Sequence, residues 1–151
     1  MFDKLLPRTI DNTYRGYKTA LWLLGLVVAV RILQSVMIIF NGSSTIKGAD
    51  GIPLDSYEPA ATQTIMALFA QNSLWRLLFC LLSIIVLAWY RSAVSLMFTL
   101  LLLHYLAAQL LSQFVPLVRE GTTPGSFVNL TLFALMFIGL VLSLRNRGVS
   151  T

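Results

Sequence analysis

The chain is short of charge, of cysteine and of histidine, and each shortage removes a class of function. Only 11% of its 151 residues are charged, against 57% hydrophobic. Ordinary soluble domains carry about 25% charged residues. With a mean hydropathy of +0.79, the composition is that of an integral membrane protein. The one cysteine, Cys80, excludes an internal disulfide and any cysteine-built metal cluster within the chain. It lies in an apolar run, where a small buried hydrophobe is the expected role. The one histidine, His104, has no second histidine to complete a bis-histidine site, which disfavours haem and zinc. All six acids, Asp3, Asp11, Asp50, Asp55, Glu58 and Glu120, fall outside the apolar runs. No pair of intramembrane carboxylates therefore exists for acid–base work. There is also no P-loop, no GxSxG and no HExxH. The net charge of +5 comes from basic residues at the ends of apolar runs, without the interleaved basic and aromatic patch that nucleic acid requires.

Present instead are four long apolar runs, at about 20–40, 74–90, 92–114 and 127–144. Each approaches the roughly 20 residues that span a bilayer as a helix. The expected fold is all-α, a polytopic four-transmembrane-helix bundle forming one membrane domain over 1–151. The first run is no cleavable signal, since Asp3 and Asp11 precede it and no small-x-small site follows. "WYRSA" between the second and third runs reads as a tight hairpin turn, and "PLVREGTTPGS" as a punctuated loop. The remaining loop, 41–73, is rich in Gly, Ser, Asp and Pro in its first half, which reads as turns. From Pro59 the pattern becomes helical, so residues 59–72 are expected to form a short interfacial helix. "FDKLLPRTI" at the N-terminus mixes apolar and basic residues and is expected in the opposite interface.

Lys4, Arg8, Arg15, Lys18, Arg91, Arg145 and Arg147 flank one side of the membrane, against Lys47, Arg76 and Arg119 on the other. The excess places both termini in the cytoplasm. Trp22, Trp89 and Tyr90 then fall at the inner interface and Trp75 at the outer.

Arg31 breaks the first apolar run. Spacings of three and four residues share a helix face, so Arg31 stands with Gln34 and Ser35, on a stripe expected to point inward. His104, Gln109 and Gln113 on the third helix, Arg76 on the second and Asn129 on the fourth fall in the same outer half. Together these are the candidate ligand-binding residues; no catalytic residue is assigned. A charge at mid-bilayer costs about 2.5–3.5 kcal/mol on insertion scales. Three readings accommodate it. Arg31 glues helices through Gln34, His104 and carbonyls; or it lines an outward-open pocket for an anionic or carbonyl-bearing lipophile, such as an anionic lipid or a quinone; or Asp50, Asp55 and Glu58 fold over the mouth and neutralise the arginines. Arg76, beside Trp75, is expected to snorkel to the interface.

"RILQSVMIIFNGSSTIKGADG", with an intramembrane arginine followed by Phe40, Gly42 and Lys47, and "LLFCLLSIIVLAWYRSAVSLMFTLLLL", a hairpin with a basic turn, resemble DoxX-like bacterial membrane proteins over residues 31–103. The resemblance implies a four-helix inner-membrane protein, in some members a small subunit linked to quinone-dependent sulfur oxidation. It carries Arg31, Gly42 and Lys47 over as structural or ligand-facing positions. The expected function is accordingly an accessory or ligand-binding subunit of a larger membrane complex, in a bacterial inner membrane, bound to a larger membrane-protein partner or to itself. A quinone-linked oxidoreductase subunit is the alternative. A small-solute transporter is third, because duplicated halves, broken helices and intramembrane acids are lacking.

Overall fold

The computed structural model describes residues 11–121 and 123–145. The described residues contain no strand; they form five α-helices joined by short turns. These are α1 (Lys18–Phe40), α2 (Gly42–Asp50), α3 (Pro59–Trp89), α4 (Val94–Phe114) and α5 (Pro124–Leu144). One-turn 3-10 helices lie at Leu54–Ser56 and Arg91–Ala93. Helices α1, α3, α4 with its leading 3-10 turn, and α5 are long and apolar enough to cross a membrane. The multi-pass helical bundle expected from hydropathy is therefore present. The segment "FDKLLPRTI", together with Lys4, Arg8 and Arg147, lies outside the described residues.

Helix α1 is the organising element, packed along both α3 and α5. Its buried residues, Ala20, Leu24, Val27, Val28, Arg31, Ser35 and Ile38, recur at helical spacing and form one inward stripe. On α3 the stripe is Ser73, Cys80, Ser83 and Val86; on α5 it is Leu132, Met136, Gly139 and Ser143. Phe98 of α4 is fully buried against Gly139, where an added Cβ would come 2.3 Å from the ring. Glycine at 139 is what lets α4 and α5 approach.

The outer loop differs from its sequence reading in two ways. Residues 42–50, read as turns, form helix α2. Its turn-forming residues mark its ends: Gly51, at φ 69°, closes it in the left-handed conformation, and the Gly51 N–H bonds back to the Ile46 carbonyl. Ile46 itself is fully buried in a small second cluster with Ile52 and Leu54, against Tyr57, Ile65, Met66 and Phe69. Residues 59–72 are helical from Pro59 as expected, but they are no separate short helix. They run without a break into the second crossing as the 31 residues of α3. No glycine or proline occurs between Ala60 and Trp89 to end the helix, and Ile65, Met66 and Phe69 tie its first turns to α2's cluster.

The two ends of the bundle are built differently. At the end holding the start of α1 and the end of α5, residues 11–17 strap the bundle shut. The Asp11 N–H donates to Ser92 Oγ, and both the Ser92 N–H and its hydroxyl donate to the Asp11 carbonyl. The Tyr17 N–H donates to the Leu142 carbonyl at 3.2 Å. Gly16 fits where a Cβ would lie 2.6 Å from both the Ser143 carbonyl and the Tyr14 hydroxyl. At the loop end, α2 packs on the start of α5, and the Glu120 N–H bonds to the Gly51 carbonyl.

Candidate functional site

The buried residues of α4 stop at Leu102. From Leu103 to Phe114 every residue is exposed except Tyr105 and Ser112, which are half-buried, so the loop-end half of α4 buries far less than its first half. The loop-end half is two-faced. At 100° per residue, His104, Tyr105, Ala108, Gln109, Ser112 and Gln113 occupy one side, and Leu103, Leu106, Ala107, Leu110, Leu111 and Phe114 the other. The polar side is turned to the bundle where it is still within reach: the His104 ring stacks on Phe79 of α3 at 6.0 Å, and the Tyr105 ring on Phe133 of α5 at 4.9 Å. The region between these two ring contacts and the candidate residues of α1, α3 and α5 is the loop-end cleft.

Helices α1, α3 and α5 carry the remaining candidates. Arg31 is only 7% exposed and Ser35 fully buried, both on the inward stripe of α1, so the expectation that this face points inward holds. Arg76 falls between Ser73 and Cys80 on the inward stripe of α3, with its Nε fully buried. It is turned into the bundle, not snorkelled outward as its neighbour Trp75 suggested, because it follows Ser73 by three residues and precedes Cys80 by four. Asn129 continues the α5 stripe three residues ahead of Leu132, and its Oδ1 is buried. Arg31 and Arg76 are within electrostatic reach of each other, and both reach His104 and Cys80.

Five buried side-chain atoms here find no hydrogen-bond partner among the described residues: Arg31 Nε, Gln34 Oε1, Ser35 Oγ, Arg76 Nε and Asn129 Oδ1. All belong to the predicted site. At about 1–3 kcal/mol for each unsatisfied buried group, the five would cost on the order of 10 kcal/mol. That equals the whole net stability of a typical domain, so these atoms call for partners, water or a ligand, beyond the described residues. The gluing bonds expected of Arg31, to Gln34, His104 or a helix carbonyl, are not formed among the described residues.

The loop acids do little to replace them. Asp55 is ion-paired with Lys47, and Glu58 precedes α3 as an exposed cap. Asp50 is the exception: burial pushes its carboxyl up, while the Arg119 and Arg76 guanidiniums pull it the other way. It sits at the mouth, its Oδ1 3.5 Å from where a Cβ on Gly125 would stand. One carboxylate against two intramembrane guanidiniums leaves the cleft positive.

Two predicted residues are placed differently from the rest. Gln109 donates to the Tyr105 hydroxyl at 2.8 Å and is satisfied there; Gln113 lies on the same side of α4 but at its exposed far end. Tyr105 itself was missed, although its position one residue after His104 on a polar helix face was a usable signal. Among the described residues no three His, Cys, Asp or Glu side chains gather to hold a metal. The cleft offers two guanidiniums, a hydroxyl and two amides, each amide with a donor and an acceptor whichever way it is turned. Such a set suits a carboxylate, a phosphate or a pair of carbonyl oxygens.

No family model, no curated protein and no solved structure matches this chain. The functional reading therefore rests on the cleft and its chemistry.

Proposed function

We propose that the protein is a ligand-binding accessory subunit of a larger membrane complex, and that its loop-end cleft takes an anionic or carbonyl-bearing lipophile. The observation that carries this reading is the set of five unpartnered buried polar atoms, drawn from α1, α3 and α5 onto one cleft. A phosphate or a quinone oxygen pair answers both needs at once, accepting from Arg31 and Arg76 and supplying the charge balance they lack. The accessory role is supported by α4. Beyond the His104 and Tyr105 contacts with the bundle, Ala108 and Gln113 are exposed and Ser112 half-buried, and a polar helix side left to lipid is costly. A partner membrane protein, or a second copy, covers it.

The setting we infer is a bacterial inner membrane with both termini in the cytoplasm. Arg15, Lys18, Arg91 and Arg145 gather at the strapped end, against Lys47 and Arg119 at the loop end. The second reading, a quinone-linked oxidoreductase subunit of DoxX type, is favoured by His104 lying on Phe79 within reach of both arginines. In that case Arg31 and His104 donate to the quinone oxygens.

Native mass spectrometry of the protein extracted gently from its membrane tests the proposal. One lipophile per chain is expected, either a quinone or an anionic lipid, and Arg31→Leu should abolish its retention while the protein still inserts. Loss on His104→Leu as well selects the quinone. Retention unchanged in Arg31→Leu would sink the reading.

A further inference from the structure

A second site lies at the opposite end of the bundle, independent of the loop-end cleft. There an apolar groove of about 630 Å³ lies beside α1 and the end of α3, lined by Leu21, Trp22, Gly25, Leu26, Ala29 and Leu87, with Arg91 at its rim. Gly25 opens it: an added Cβ would meet nothing within 4 Å. Arg91 is exposed, and its Nε donates to the Leu87 carbonyl, 3.1 Å away, which anchors the guanidinium at the rim. Lys18 heads the same face of α1, followed at helical spacing by Trp22, Gly25 and Ala29.

We propose that this groove is a binding site for one chain of an anionic glycerophospholipid, with the lipid phosphate between Arg91 and Lys18. Three observations carry it. Arg91 lines the rim and Lys18 begins the same face of α1, and neither forms an ion pair among the described residues. The stripe from Lys18 to Ala29 is about 16 Å long at 1.5 Å per residue, which matches one leaflet of a roughly 30 Å hydrocarbon layer. Trp22, 81% exposed beside the rim, belongs at the depth where headgroup meets acyl chain. A lipid with its charge at the rim and its chain along Gly25 and Ala29 satisfies all three. A second copy of the chain does so poorly, since an isologous contact through this face brings like-charged rims together.

The test is competition between phosphatidylglycerol and phosphatidylcholine. Delipidated protein is incubated with the two in equal amounts and analysed by native mass spectrometry. The wild type is expected to keep one phosphatidylglycerol in preference to phosphatidylcholine. Arg91→Gln should lower that retention about fivefold, the worth of one cation at an anionic lipid surface, and Arg91→Lys should restore most of it. Gly25→Leu, whose side chain fills the groove without a backbone clash, should abolish it in a protein that still melts cooperatively. Equal retention of the two lipids, or wild-type retention in Gly25→Leu, would overturn the site. So would loss of phosphatidylglycerol in Arg31→Leu alone, which places the anion in the loop-end cleft, or a dimer that Gly25→Leu takes apart, which gives the groove to a second copy.

Discussion

Arg31→Met separates a ligand-facing arginine from a structural one by the sign of its effect on stability. The side chain is 7% exposed, on the inward stripe of α1, and forms neither a hydrogen bond nor an ion pair among the described residues. Removing it therefore removes a cost. At the centre of a helix crossing, arginine costs about 2.5–3.5 kcal/mol on insertion scales. The neighbouring Arg76 charge adds repulsion. Methionine is long and flexible enough to occupy the same path without leaving a cavity. With ligand stripped away, Arg31→Met should be more stable than wild type by about 2–3 kcal/mol. With ligand at 100 times its Kd, wild type regains about 2.7 kcal/mol through binding, while a variant that no longer binds regains nothing, so the two converge. The assay is equilibrium unfolding in mixed detergent micelles, by urea or dodecyl sulfate, before and after exhaustive delipidation. A stripped Arg31→Met that is less stable than wild type by about 1 kcal/mol or more would refute the reasoning, because a hydrogen bond of that worth would have to exist inside the bundle.

Gly139→Ala should destabilise by roughly 1–3 kcal/mol, despite the better helix propensity of alanine, because its Cβ would come 2.3 Å from the ring of fully buried Phe98. Thermal melts should show it, and Phe98→Leu in the same chain should restore much of the loss; unchanged melting of the single variant would place the α4–α5 contact elsewhere. For Asp50, burial holds the carboxyl above its ordinary value of 3.8, so above that value the folded state binds more protons than the unfolded one. Stability therefore falls as pH rises through the window between the two values. Asp50→Asn should flatten that slope in melts taken upward in pH from 3.8, and an undiminished slope would assign it to another group.

The crossings were legible because their signal is length and apolarity, which each run carries alone. Helix α2 was not, since its Gly, Ser, Thr and Asp have turn propensities as strong as anything local. What makes it a helix is the burial of Ile46 against Ile65, Met66 and Phe69, a contact between segments distant in the chain. Continuity of α3 was legible in principle, from the absence of Gly and Pro between Ala60 and Trp89. For the site, the three- and four-residue periodicity that put Arg31 with Ser35 holds in three dimensions, and the same rule places Arg76 in register with Cys80 and Ser73. Snorkelling to Trp75 was the competing pull, and the register of α3 outweighed it. That α4 buries little after Leu102 has no counterpart in sequence; an apolar helix face reads alike whether it meets lipid or protein.

The asymmetry of the two ends argues for where ligands enter. At the strapped end, backbone hydrogen bonds link residues 11–17 to the α3–α4 turn and to α5, and Gly16 lies in contact with the Ser143 carbonyl. Opening that end breaks several bonds together. At the loop end α4 is largely exposed beyond Leu102, and Arg31, Gln34, Ser35, Arg76 and Asn129 each hold a buried polar atom without a partner among the described residues. A bundle selected only for stability would fill that space with leucine, as α1 does with Leu24 and Val27 nearer the strap. Two guanidiniums held there are costly by themselves, and under the proposed function an anion or a pair of carbonyl oxygens between the helices would offset that cost.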